Sequence, residues 1–204
     1  MKKLWLLLTV ATFSSFIAPY PTGIKSVKED KTLLITQLQQ TRDNLLKDIQ
    51  GLTDAQLEYK PAPDRWSVIE CLEHITLIEK AIWEGEQHLM QAPANPEKRK
   101  EIKATDEQII KNVEDRSHKV KAPDFGIPKH SYSSNAEAIK NFTEQRNKLI
   151  EYVTNTNDDL RNHVMDHPVL GPIDAYQLLL LDAAHTNRHT QQLDEVKADP
   201  GFPK

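Results

Sequence analysis

Cysteine is almost missing: Cys71 stands alone in 204 residues, which excludes an intramolecular disulfide and any multi-thiolate zinc or iron–sulfur site. No apolar run approaches the roughly 20 residues that a membrane-spanning helix needs, and the mean hydropathy is -0.60, so a polytopic membrane protein is excluded and the body of the chain is expected to be soluble. A basic surplus is also absent. With 26 Lys+Arg against 30 Asp+Glu the net charge is -4, whereas neutralising a phosphate backbone calls for a positive excess; nucleic acid is not expected as a partner. What remains, with 38% hydrophobic residues, 27% charged and only 6 Gly, suits one compact core, and the eight histidines form the reactive inventory.

The first residues, Met1, Lys2 and Lys3, precede a mostly apolar stretch over residues 4–18, broken by Thr9, Thr12, Ser14 and Ser15. A short positive region ahead of such a segment is the layout of a secretory signal, so residues 1–24 are assigned as signal peptide and short linker and residues 25–204 as the folded domain. A disordered or buried N-terminal helix is the alternative. Export to the periplasm or the cell exterior follows from the first reading, with no stable membrane insertion once the signal is removed.

Helix starts punctuate the domain. A Ser, Thr or Asp followed three residues later by Glu or Gln can satisfy two orphan N–H groups reciprocally, and the pairs Ser26/Glu29, Thr53/Gln56, Ser67/Glu70, Thr105/Gln108, Ser134/Glu137 and Asp174/Gln177 all have that spacing. The apolar periodicity agrees. Leu34, Leu38, Leu45 and Ile49 share one helical face that stops at Gly51; Val68, Leu72, Ile75, Ile82 and Leu89 share another, ended by Pro93 and Pro96. Ile139, Phe142, Leu149 and Val153 form a third, and Leu178, Leu181, Leu193 and Val196 a fourth that runs to Pro200. The prediction is an all-α fold: a four-helix bundle with a long, partly helical connection between the second and third helices. That connection holds a minor polar helix near residues 105–118, expected on the surface, and a Lys98-Arg99-Lys100 run expected to be solvated.

Projected at 100° per residue, His185 and His189 lie one turn apart on the core-facing stripe of the last helix, with Leu178, Leu181, Gln192 and Val196. His74 lies at the edge of the apolar arc of the second long helix. Spacing alone leaves metal ligation and a satisfied core pair both open for His185/His189, and favours a structural role for His74. A second i, i+4 pair, His163/His167, is followed at once by Pro168, which disfavours helical geometry at His167 and puts the pair at a helix end or loop outside the site.

The block Trp66-Ser67-Val68-Ile69-Glu70-Cys71-Leu72-Glu73-His74, the stretch His167-Pro168-Val169-Leu170-Gly171 and the block His185-Thr186-Asn187-Arg188-His189-Thr190-Gln191-Gln192 together resemble the DinB-like superfamily over about residues 30–200. The resemblance implies a four-helix bundle in which His74, His185 and His189 hold one divalent metal ion, zinc or nickel. It also implies pairing with a second copy of the chain, in a homodimer, in one of several ways. The export signal departs from the well-studied members, which are cytoplasmic.

Three neutral imidazoles on two facing helices leave coordination positions open, so such a site can bring bound water to a pKa of about 7 or receive a thiolate or carboxylate. The function expected is therefore a metal-dependent enzyme acting on an unidentified small molecule, as a hydrolase using metal-activated water or a thiol-dependent transferase. The alternative is a bundle in which the ion is structural. Asp182, and Glu73 or Glu70, are candidates to orient the ligand rings, since metal-bound histidines donate their second N–H to a carboxylate or carbonyl. Gln192 would face substrate or pack a helix end. Trp66 would pin the entry to its helix or touch substrate, Glu70 would serve chiefly as a cap, and Cys71 would be a buried apolar residue rather than a nucleophile.

Overall fold

The computed structural model describes residues 31–204; the signal peptide assignment and the Ser26/Glu29 cap lie outside the described residues. The elements are α1 (Thr32–Ile49), α2 (Asp54–Leu57), α3 (Val68–Gln91), α4 (Asp106–Glu114), α5 (Asn135–Asn155), a hairpin of β1 (Val164–His167) and β2 (Gly171–Asp174), and α6 (Ala175–Lys197). No helix among the described residues is long and apolar enough to cross a membrane.

The caps form where their chemistry predicts. Thr53, Ser67 and Thr105 each accept from the backbone N–H three residues on, while Gln56, Glu70 and Gln108 reach back to the cap's own N–H. Two of the expected boxes are half boxes. Ser134 caps α5, but Glu137 accepts from Ser133 instead; Asp174 caps α6, but the Gln177 side chain donates to Ala104 and Asp106 on the long connection. At the end of α1, Gly51 has φ +79°, the left-handed geometry that a side chain would strain.

Four helices, α1, α3, α5 and α6, make the bundle. Contacts run α1 to α6, α6 to α3, α3 to α5 and α5 back to α1, so α1 lies diagonal to α3 and α5 diagonal to α6. Cross-helix bonds fix directions. Gln145 meets Thr76 and Tyr152 meets Glu86, which makes α3 and α5 parallel neighbours; Glu79 and Asp182 flank the same arginine while His74 faces His185, which makes α3 and α6 antiparallel. A parallel pair needs a connection that returns the full length of α3, about 36 Å at 1.5 Å per residue, and this is why the 92–134 segment is long.

That segment wraps α6. The helix expected on the surface near 105–118 does lie there, as α4, but it is amphipathic rather than simply polar: it packs against α6 and buries Ile109 completely. Its polar residues cover only the outer face, and Ile109, Ile110 and Val113 supply the inner one. Arg99 of the basic run is likewise engaged, with Arg161 and Asp174. The hairpin was not foreseen in a chain read as all helical; its register pairs Val164 with Asp174, and Gly171 at φ +72° lets the chain turn back.

The core divides in two. Leu34, Leu38, Leu149, Val153 and Leu180 pack at one end, and Leu45, Leu72, Ile75, Phe142 and Leu193 at the other. Between them Thr41, Glu79, Arg146, Asp182 and Thr186 form a buried polar layer.

Candidate metal centre

The antiparallel pairing of α3 with α6 sets His74, two turns past the Ser67 cap, opposite His185 and His189. His74 Nε2 and His185 Nε2 are 3.2 Å apart, and the centroid of the His189 ring lies 4.4 Å from that of His74 and 4.5 Å from that of His185. One nitrogen from each ring lies within 4.8 Å of the others. Two nitrogens bound tetrahedrally at about 2.0–2.1 Å from one ion would be separated by roughly 3.3 Å, so the His74–His185 spacing fits a shared divalent ion.

Protonation agrees with that fit. Burial pushes all three imidazoles below the ordinary histidine value; His189, further disfavoured as a cation by His74, goes to about 3, and His185 falls well below 6.5 with His189 and His74 adding to the effect of burial. Neutral rings are the form that ligates metal. His74 and His189 are buried and His185 is partly exposed.

The second nitrogens show how the rings are aimed. His74 Nδ1 donates to the carbonyl of Gly126 at 2.6 Å; a carbonyl can only accept, so the lone pair of His74 is on Nε2. Gly126 closes a short turn, Asp124–Gly126, laid on α3. A Cβ there would come within 2.7 Å of Ile78 Cδ1 and 3.3 Å of the His74 ring, so any larger residue must displace the end of Ile78 and press on the imidazole. Trp66 also lies against the cluster, its ring centroid 4.7 Å from that of His74 and 6.1 Å from that of His189. Trp66 thus packs beside the histidines as well as at the entry to α3. Gln192 lies at the site rather than merely packing a helix end: its Oε1 accepts from His189 Nδ1 at 2.9 Å.

Asp182 does not orient His185. Its Oδ2 accepts from Arg146 Nη2 at 3.2 Å, while His185 Nδ1 and Asp182 Oδ1 are both buried with no hydrogen-bond partner among the described residues. The reason is the demand of Arg146, a fully buried guanidinium that also meets Glu79, Thr41, Thr186 and the Leu38 carbonyl. Glu73 is spent on the loop: burial opposes its ionisation, but backbone N–H groups of Ser131, Lys129 and His130 hold its pKa below the usual range. Glu70 caps α3 and meets Lys60. Cys71 is fully buried and its thiol is pushed up to about 12, chiefly by burial, so it is inert at neutral pH.

His163 and His167 stay outside the cluster. His163 sits between the carbonyls of Asp159 and Ala92, and His167 Nδ1 accepts from the N–H groups of Val169 and Leu170 at the hairpin turn. Gly126 and Arg116, which bears on Gln192, were not identified from sequence; both sit in an aperiodic connection, and the small size of Gly126 beside an apolar 125/127 pair was the one weak sign.

Fold and site define a four-helix bundle with a convergent three-histidine cluster on two of its helices. The chain belongs to the DinB superfamily, whose family model matches residues 37–193. It is similar to the uncharacterized protein YuaE of Bacillus subtilis strain 168, 26% identical over 151 residues that span 74% of this chain and 88% of YuaE. It also shares its fold with YfiT from Bacillus subtilis, at a TM-score of 0.57 and 16% identity, covering 92% of this chain and 97% of that one. YfiT is described as a probable metal-dependent hydrolase with an unusual four-helix bundle topology.

Proposed function

We propose that this chain is a metal-dependent enzyme that acts on a small molecule through one divalent ion held by His74, His185 and His189. The observation that carries the reading is the pair of Nε2 atoms 3.2 Å apart, one of them on a ring whose Nδ1 is committed to a carbonyl, so that the lone pair of His74 faces the other two imidazoles. An ion held by three imidazoles supplies a Lewis acid with open positions, able to lower the pKa of bound water to about 7 or to take a thiolate.

The chain's own residues do the rest. Gly126 and Gln192 aim two rings, burial keeps all three neutral, and Trp66 shields His74 from water on one side. Glu70, Glu73 and Asp182 are each tied to other partners, so none of them is free to act as a general base. When bound, the ion would supply the activation of the nucleophile. The description of YfiT favours hydrolysis; transfer of a low-molecular-weight thiol uses the same open position. Zinc or nickel suits imidazole donors, and export to the periplasm or exterior is supported by the pattern of residues 1–18.

The test is turnover of an activated ester and of a small thiol with an electrophile. Chelator-stripped protein reloaded with zinc or nickel is expected to regain activity on one of them, and His185→Ala to stay at background. Equal turnover by stripped, reloaded and substituted protein contradicts the reading. A rise in melting temperature on reloading with no turnover on either substrate establishes the structural-ion alternative instead.

A further inference from the structure

We propose that Arg116 positions His189 as a ligand by holding the Gln192 carboxamide in a single orientation. The inference rests on the three-histidine metal site and adds to it a residue outside both histidine-bearing helices.

Arg116 follows α4 in the long connection, and its side chain is 22% exposed. Its Nε and Nη2 each donate to one oxygen of Glu195 at 2.9 Å, a two-point fork that fixes the guanidinium plane. The remaining nitrogen, Nη1, then points at Gln192 Oε1, 3.4 Å away, and at the Arg188 carbonyl, 3.3 Å away. A carboxamide can present either its oxygen or its NH2 toward a neighbour, and the two are nearly equal in shape. Facing a guanidinium, which has donors only, the oxygen is favoured and the NH2 is repelled. That same oxygen lies 2.9 Å from His189 Nδ1. His189 must therefore carry its proton on Nδ1, which leaves Nε2 as the lone pair for the ion. Without Arg116, the carboxamide could turn its NH2 to Nδ1, stabilising the tautomer with the lone pair on the wrong nitrogen. The chain Glu195, Arg116, Gln192, His189 thus does for His189 what the Gly126 carbonyl, with no choice of orientation, does for His74. Arg116 is a positioning residue; it touches neither ring nor ion.

Zinc affinity, measured by competition with a chromophoric chelator, tests the proposal without reference to turnover. Arg116→Ala is expected to weaken zinc binding by about tenfold or more, the scale on which partners of ligand histidines act. Arg188→Ala is the control for a merely loosened loop. Its guanidinium ties the same connection to α6 through the carbonyls of Val113, Asp115 and His118 and does not reach Gln192, so zinc affinity should stay at the wild-type level. Arg116→Ala combined with Gln192→Glu should recover most of the loss, because a carboxylate offers an oxygen to Nδ1–H in either rotation. If Arg116→Ala does not fold, Gln192→Leu, which removes the acceptor and leaves the arginine, must show the loss.

Wild-type affinity in Arg116→Ala, or an equal loss in Arg188→Ala, or no recovery in the double variant, overturns the role of Arg116 while leaving the metal site intact. Failure of wild-type protein to bind zinc overturns the site and this inference together.

Discussion

Two buried polar clusters share this bundle, one turn of α6 apart, and they are built to opposite ends. Around Arg146 the hydrogen-bonding capacity points inward: one guanidinium is enclosed by Glu79, Asp182, Thr41, Thr186 and a backbone carbonyl, and one oxygen of each carboxylate, Glu79 Oε1 and Asp182 Oδ1, is left without a partner among the described residues. Around His74, His185 and His189 the backs of two rings are satisfied and the fronts converge on one another. A closed cluster can only hold helices together. A cluster in which the lone pair of His74 faces two further neutral imidazoles can ligate something from outside the chain.

Disrupting the closed cluster should cost the most. Arg146→Met strands Glu79 and Asp182 in the core, and loss of one partner from a buried ionic group costs about 3–5 kcal/mol, to be read from urea unfolding. His185→Ala strands no charge, so its unfolding free energy without metal should fall by less. A drop in His185→Ala as large as that in Arg146→Met would erase the distinction between the clusters.

Gly126→Ala is next. The added methyl meets Ile78 and His74, and overpacking of this kind costs about 1–3 kcal/mol. Because it pushes on the ring that Gly126 aims, it should also reduce zinc affinity, which a substitution of similar cost in the other half of the core should leave alone.

The clusters should also differ in the sign of their pH dependence. The histidines are held below their unfolded value of about 6.5, so the unfolded chain binds more protons in acid and ion-free protein loses stability as the pH falls from about 6.5 through the folded values, about 3 for His189. Asp182 is shifted the other way, upward, by burial and by Glu79 against the pull of Arg146. Its contribution is full below about 4 and is lost as the pH rises through its folded value. Thermal unfolding of chelator-treated protein between pH 4 and 9 should therefore show an acid limb that His189→Gln flattens and an alkaline limb that Asp182→Asn flattens. His167, on the hairpin turn, is also held below the ordinary histidine value by burial, so His167→Gln should relieve part of the acid limb while leaving the alkaline limb and the metal content unchanged.

Periodicity carried the main outlines of the fold. The faces of Leu34/Leu38/Leu45/Ile49 and of Val68/Leu72/Ile75 are buried as their spacing requires, and the Thr53, Ser67 and Thr105 caps form as written. His74, His185 and His189 were legible as a set only with the family resemblance, since no local pattern relates α3 to α6. What the sequence could not disclose depends on the distances that folding closes. Asp182 has the right spacing for His185, yet a buried arginine from α5 outbids that neighbour; Gly126 and Arg116 reach the rings from a connection without periodicity. The β1–β2 hairpin is two four-residue strands around Pro168, too short to leave an alternating signal.

The metal content of natively purified protein, determined by elemental analysis beside His74→Ala and His185→Ala, tests the central claim most directly. The account predicts one zinc or nickel ion per wild-type chain and a small fraction of that in either variant. Equal metal in all three, or wild-type protein well below one ion per chain, would contradict it.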